Sequence, residues 1–259
     1  MHWNVDPEIF RIGFVAVRWY SLLFMMSFVA GIGLFNYFFK LEKKPVSDVD
    51  HLLMYMLFST VIGARLGHCL FYDPVYYLSN PIKILMVWEG GLASHGAAIA
   101  IPIGAWLYSR KRKDQPFMWL IDRVAIGVAI SGFFIRMGNF FNSEIIGAPT
   151  DVPWAVIFDK VDSLPRHPSQ VYEALAYLTI FLLMIWLYKK KQGQTQNGVF
   201  LGIFLILVFG FRFFVEFFKE NQSAFESGMT LNMGQWLSIP AVLIGIWLLV
   251  RANTQNQKE

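Results

Sequence analysis

Seven stretches of predominantly apolar residues, near 14–39, 48–72, 92–110, 117–141, 169–189, 198–218 and 233–251, match the roughly 20 residues that an α-helix needs to cross a bilayer. Lipid offers no partner to a peptide group, so each run must satisfy its backbone within itself, and a helix does so. Only 15% of the 259 residues are charged and 56% are hydrophobic, against roughly 25% charged in soluble domains. The expected fold class is an all-α polytopic membrane protein with seven transmembrane helices. It is read as one membrane domain over residues 1–259, with structured outer loops near 73–91 and 142–168. The opening MHWNVDPEIF has no basic n-region, and the run behind it exceeds the roughly 7 to 15 residue core of a cleavable signal peptide, so the first helix is expected to stay in the membrane. There is no internal repeat of the kind that marks many transporters.

A net charge of +4 would point to nucleic acid in a soluble chain, but here the basic residues punctuate the apolar runs. Lys40, Lys43, Lys44, Arg110, Lys111, Arg112, Lys113, Lys189, Lys190, Lys191, Arg251 and Lys258 occupy alternate connections and the C-terminal end. The opposite side carries only Arg11, Lys83, Lys160, Arg166 and Lys219. Twelve against five puts the N-terminus outside, the C-terminus in the cytoplasm and an odd number of spans between. The lone Cys69 excludes an internal disulfide and reads as packing.

Four arginines, Arg18, Arg65, Arg136 and Arg212, fall within these runs toward the outer face. Guanidinium stays protonated, and a charge at mid-bilayer costs about 2.5 to 3.5 kcal/mol even on the lenient insertion scale. Carboxylates at that depth are few, chiefly Glu216, so a negatively charged ligand is expected to supply the missing charge. At about 1.5 Å per residue, Arg136 and Arg212 should sit roughly 10 Å below the outer surface. Tyr20, about two turns into the first span, and His95, in the first turn of the third, converge on that layer. Asn139 follows Arg136 at i+3 and Glu216 follows Arg212 at i+4, so each pair shares a helix face.

The string Arg136-Met137-Gly138-Asn139-Phe140-Phe141-Asn142-Ser143-Glu144-Ile145-Ile146-Gly147 resembles the signature of the prolipoprotein diacylglyceryl transferases. Further landmarks stand around it in order: Gly90-Gly91-Leu92-Ala93-Ser94-His95-Gly96, Arg166-His167-Pro168-Ser169-Gln170-Val171-Tyr172-Glu173 and Arg212-Phe213-Phe214-Val215-Glu216-Phe217-Phe218. Gly63-Ala64-Arg65-Leu66-Gly67, Trp19-Tyr20 and Met233-Gly234-Gln235 also look familial, so the resemblance covers nearly the whole chain. It implies an enzyme of the bacterial inner membrane with its site at the periplasmic leaflet. Its partners would be phosphatidylglycerol, a prolipoprotein signal peptide with its lipobox cysteine, and membrane lipid, with no nucleic acid. The diacylglyceryl group would pass to the thiol, releasing glycerol 1-phosphate. A thiol of pKa about 8.5 needs a base, and a phosphate leaving group needs cations.

By that resemblance His95 is the expected general base; its residue type and place alone fit a packed, hydrogen-bonded histidine equally well. Arg136 and Arg212 are expected to clamp the phosphate with their planar forks; the alternative is structural pairing with Glu144, Glu173 or Glu216. Arg212 and Glu216 are expected to pair with each other. Asn139, and second to it Asn142, would donate to phosphate or glycerol oxygens, although asparagines at a helix end also serve as caps. Glu144 would orient Arg136 or the loop, and Tyr20 would donate its hydroxyl to the headgroup or anchor the interface. Gly138 would permit close helix approach and Gly147 a turn. Arg18 and Arg65 are assigned to snorkelling or bracing loops, and His167 to ordering a loop or helix entry. Two positions depart from the family: Val208 stands where a tyrosine is frequent, so a hydroxyl there is lost or relocated, and Ile135 replaces a glycine. No metal or cofactor is expected, because no cluster has metal-ligand spacing. The competing reading is an anion or lipid transporter, or a lipid-binding scaffold without chemistry.

Overall fold

The computed structural model describes residues 1–13, 15–220 and 228–256. Lys258, one of the basic residues of the C-terminal side, lies outside the described residues. The chain forms two units, one of Phe35–Ile121 and one of Met1–Leu34 with Asp122–Glu259.

Short strands β1 (His2–Trp3), β2 (Glu8–Ile12) and β3 (Val15–Arg18) precede α1 (Trp19–Leu41). Then come α2 (Asp48–Phe71), α3 (Pro74–Ser79), α4 (Pro81–Leu85), a one-turn 3-10 helix at Val87–Glu89 and α5 (Ser94–Ser109). α6 (Phe117–Phe141), β4 (Val156–Phe158), β5 (Pro165–Arg166), α7 (Ser169–Lys190), α8 (Val199–Val215) with a 3-10 turn at Glu216–Phe218, and α9 (Met233–Asn256) complete the order. Among the described residues six helices are long and apolar enough to span a membrane: α1, α2, α6, α7, α8 with its 3-10 extension, and α9. The protein is thus a multi-pass, mainly helical membrane protein. The expected third span, 92–110, yields α5 with 16 residues, about 24 Å of helix against a hydrocarbon core of about 30 Å. Gly90 and Gly91, at φ 89° and 72°, hold the chain out of helical geometry just before it.

The first span is also corrected at its N-terminal end. Residues 15–18 are strand, so the helix begins at Trp19 and Tyr20 lies in its first turn, not two turns in. β2 and β3 pair as an antiparallel hairpin, while β1 runs parallel to β4, which pairs antiparallel with β5. These strands are short additions to the helical fold, drawn from the residues before α1 and from the 142–168 connection.

In the unit of residues 35–121, α2 and α5 pack antiparallel through small residues. A Cβ on Gly96 would come within 2.1 Å of the Gly63 carbonyl oxygen, and one on Gly104 within 1.9 Å of Ser59 Oγ, so the helices approach backbone to backbone. In the other unit α8 crosses α9 at Gly202 and Gly245. Buried Asp122 on α6 accepts from the backbone N–H groups of Gly198 and Leu201, at 2.8 Å each, capping α8.

Candidate active site

The C-terminal end of α6, the N-terminal end of α7 and the C-terminal end of α8 gather the charged groups. Arg136 Nε lies 3.2 Å from Glu173 Oε2 of α7, with the side chains 14% and 2% exposed. One turn along α6, Asn139 Oδ1 accepts from Arg136 Nη1 at 3.3 Å. The Asn139 and Asn142 amides then donate to the two oxygens of Glu144, at 3.3 and 3.2 Å. On α8, Arg212 Nε lies 3.4 Å from Glu216 Oε1, the i+4 pair read from the sequence. Glu216 also accepts from Asn232 Nδ2 at 3.2 Å, and a Cβ on Gly234 would fall 2.5 Å from its carboxylate. A side chain at 234 would push the Glu216 carboxylate from this position. Lys219 Nζ joins the two halves, 3.1 Å from Glu173 and 3.2 Å from Glu216, at 3% exposure.

Tyr20 packs on Gly138, where a Cβ would come within 2.8 Å of its ring, and lies in the electrostatic field of Glu144 and Arg136. Close approach at Gly138 is therefore the observed use of that glycine. Val208, where the hydroxyl is absent, is buried, and on α7 Tyr177 sets its ring against Gly132.

The charge balance differs from expectation. Glu216 is not the chief acid at this level, because Glu173 is equally buried. Arg136, Arg212 and Lys219 stand against Glu173 and Glu216, three cations to two carboxylates, so this buried cluster carries one excess positive charge. Glu144 is solvent-exposed and lines a cavity of about 300 Å³ with Asp6, Pro7, Glu8, Arg18 and Asn142. The ion pairs are also slack. Arg212 Nε and Glu173 Oε2 are buried without a hydrogen bond, although each faces an opposite charge, and the Arg212 side chain is 36% exposed. A buried N–H left unpaired is costly.

The loop beyond α6 is strained and pinned. Ser143 and Ile145 both sit at φ 55°, an uncommon conformation that is an outlier for a β-branched residue. Gln170 Nε2 donates to the Glu144 carbonyl at 2.6 Å and Ser169 Oγ to the Ile145 carbonyl at 2.9 Å. Gly147 is corrected from a turn to a crossing of three segments. It bridges Lys219, its N–H donates to the His167 carbonyl at 3.0 Å, and a Cβ on it would meet that oxygen at 2.4 Å and the Phe218 carbonyl at 2.8 Å. Arg166 donates to the Gly147 carbonyl at 3.2 Å and pairs with Asp162 and Glu220. Its hydrogen bonds hold the Asp162 carboxyl below the usual carboxylate range, while Asp162 raises Arg166 in turn. His167 orders this segment as expected, its N–H on Ala148 and its ring 3.1 Å from the Tyr172 hydroxyl.

His95 belongs to the unit of residues 35–121, in the first turn of α5. Its ring packs edge-on against Phe71 and obliquely against Tyr72, with centroids at 5.0 and 5.8 Å, and its Nε2 is buried without a hydrogen bond. Arg65 is a loop brace: it donates to the carbonyls of Lys83, Ile84, Gly90 and Gly91. Those bonds occupy its fork. Arg18, expected within the first span, ends β3 opposite Glu8 and is exposed. Two residues central to the cluster carried weak signals in the sequence. In the sequence Glu173 offers only an alternative partner for the arginines, and Lys219, three residues after Glu216, reads as one more loop charge.

Residues 7–251 match the family model described as prolipoprotein diacylglyceryl transferase. The chain is 48% identical over 250 residues to the phosphatidylglycerol–prolipoprotein diacylglyceryl transferase of Tolumonas auensis, covering 96% of each protein. It is 47% identical to the enzyme of that name from Chloroherpeton thalassium, over 99% of this chain and 96% of the relative. With the namesake from Bacteroides fragilis it shares 45% identity, over 96% of this chain and 94% of the relative.

Proposed function

The chain belongs to the prolipoprotein diacylglyceryl transferase family, and from that premise we propose that it moves the diacylglyceryl group of phosphatidylglycerol onto the lipobox cysteine of prolipoproteins. In this reading it works at the periplasmic leaflet of a bacterial inner membrane. α5, paired lengthwise with α2, serves as the seventh span, and its shortness is met by local thinning or by protein around it. An odd number of spans is what the lysine and arginine asymmetry of the loops requires.

The single observation that carries the chemistry is the slack, net-positive cluster of Arg136 and Arg212. Two guanidinium forks, each beside a carboxylate that aims it, present donors to an anion. The phosphodiester of phosphatidylglycerol carries one negative charge. As the thiolate attacks the glycerol carbon, the S–C bond forms and the C–O bond breaks. The electron pair leaves on the phosphate oxygen, and glycerol 1-phosphate departs with a second negative charge. Cations fixed in advance therefore bind the transition state better than the ground state. Asn139, Asn142 and Tyr20 donate to phosphate and glycerol oxygens, Glu144 holds the two amides in place, and Gly147 fixes the loop that carries them. Arg136 makes the direct contact, and Arg212, with Glu216 as its orienter, takes the developing charge. His95 accepts the thiol proton; its buried Nε2 without a partner supports that role.

The test is purified protein in detergent with phosphatidylglycerol and a lipobox peptide. Thioether product and glycerol 1-phosphate in equal amounts are expected. Anion flux in vesicles without product would support the transporter reading and end this one.

A further inference from the structure

We propose that Lys219 is a positioning residue of the transfer reaction: by holding Glu173 and Glu216 with one ammonium, it leaves a full positive charge on Arg136 and Arg212 for the substrate phosphate. The inference rests on the phosphate-clamp reading above and adds to it the device that keeps the clamp from neutralising itself.

The geometry requires such a device. Glu173 and Glu216 are each within ion-pair distance of one arginine, at 3.2 and 3.4 Å. With only these four groups the site would be neutral, and each guanidinium would turn its fork toward its own carboxylate. Lys219 Nζ sits between the same two acids, 3.1 Å from Glu173 Oε1 and 3.2 Å from Glu216 Oε1. It shares the very Glu216 oxygen that faces Arg212 Nε, and it leaves Arg212 Nε without a hydrogen bond. The competition is visible as that long contact.

Stability alone does not account for a third cation. Removing a charge from water costs several kcal/mol after relaxation, and buried ion pairs are weak contributors to folding. Two arginines and two glutamates would already balance; an additional ammonium at 3% exposure adds a desolvation cost and a net charge. A site that must hold an anion offsets that cost whenever the anion binds, and the excess of one matches a phosphodiester. The backbone of Lys219 is also fixed: extended after the 3-10 turn, it bridges Gly147 of the loop that carries Asn142 and Glu144. One residue thus ties the charge of the cluster to the seating of the loop.

The experiment compares Lys219→Met, Lys219→Arg and the double variant Lys219→Met/Glu173→Gln in detergent, measuring kcat and KM for phosphatidylglycerol alongside thermal unfolding. Lys219→Met takes the cluster from one excess charge to none. It is expected to lose on the order of ten- to a hundredfold in kcat/KM, the range of one charge-assisted hydrogen bond, with both a raised KM and a lowered kcat. Lys219→Arg keeps the charge and retains most activity. The double variant restores the excess of one and recovers at least several-fold over Lys219→Met, which a packing role cannot do. Wild-type kinetics in Lys219→Met, or a folded double variant no better than Lys219→Met, would overturn the proposal. If Lys219→Met does not fold, the other two variants decide: an inactive, folded double variant overturns it and an active one upholds it. Absence of thioether product from the wild-type protein would instead refute the reaction itself.

Discussion

Replacing Arg136 by lysine separates charge from shape at the centre of the site. The guanidinium holds Nε 3.2 Å from Glu173 as an ion pair and donates Nη1 to Asn139 at 3.3 Å, and the clamp needs further N–H groups of the same fork for phosphate. A lysine ammonium has one nitrogen on a flexible stem. It can stay with buried Glu173 or approach the phosphate, and it cannot also bridge to Asn139. The variant therefore loses at least one charge-assisted hydrogen bond in the transition state, about 1.5 to 3 kcal/mol, or roughly ten- to 150-fold in kcat/KM at 1.36 kcal/mol per decade. Folding should persist, because Glu173 keeps a positive partner and Lys219 besides. The assay follows lipidation of a fluorescent lipobox peptide across a phosphatidylglycerol titration, with the melting temperature of each preparation as control. Arg136→Lys at wild-type kcat/KM would refute the bidentate clamp and leave Arg136 a structural partner of Glu173.

Three further outcomes are expected. His95→Gln, which keeps size and polarity but no titrating nitrogen, should drop kcat by about a hundredfold or more with the same peptide KM, whereas near-normal turnover would move the base elsewhere. Gly147→Ala places a Cβ at 2.4 Å from a fixed carbonyl oxygen and should both lower the melting temperature and abolish activity, while a fully active variant would contradict the three-segment crossing. Asp162, held below its ordinary pKa by Arg166, contributes stability that is present above the unfolded pKa of about 4 and lost as pH falls through the lower folded value. Hydrogen exchange over 147–167 should quicken below that pH, and unchanged protection from pH 6 to 3 would contradict it.

Much of the helical frame is legible in the sequence because apolar length is a one-dimensional property. The run 117–141 coincides with α6, and 48–72 ends one residue past α2. The strands are not legible: β1 has two residues and its partner is β4, with His2 opposite Ile157, so neither periodicity nor a local turn announces it. The pair Arg212 and Glu216 could be read because i+4 spacing is local. Glu173 and Lys219 could not be placed, since their meeting depends on how α7 and the end of α8 pack. Arg65 resembled Arg136 in the sequence, an arginine near the outer end of an apolar helix. The difference lies in the four loop carbonyls that Arg65 meets, which only the fold supplies.

The central claim is tested most directly by an experimental structure with phosphatidylglycerol bound. The account predicts phosphate oxygens within about 3.2 Å of nitrogens on both Arg136 and Arg212, with Glu173 and Glu216 behind them on Lys219. A headgroup bound elsewhere, with both guanidinium forks closed onto those two carboxylates, would contradict it.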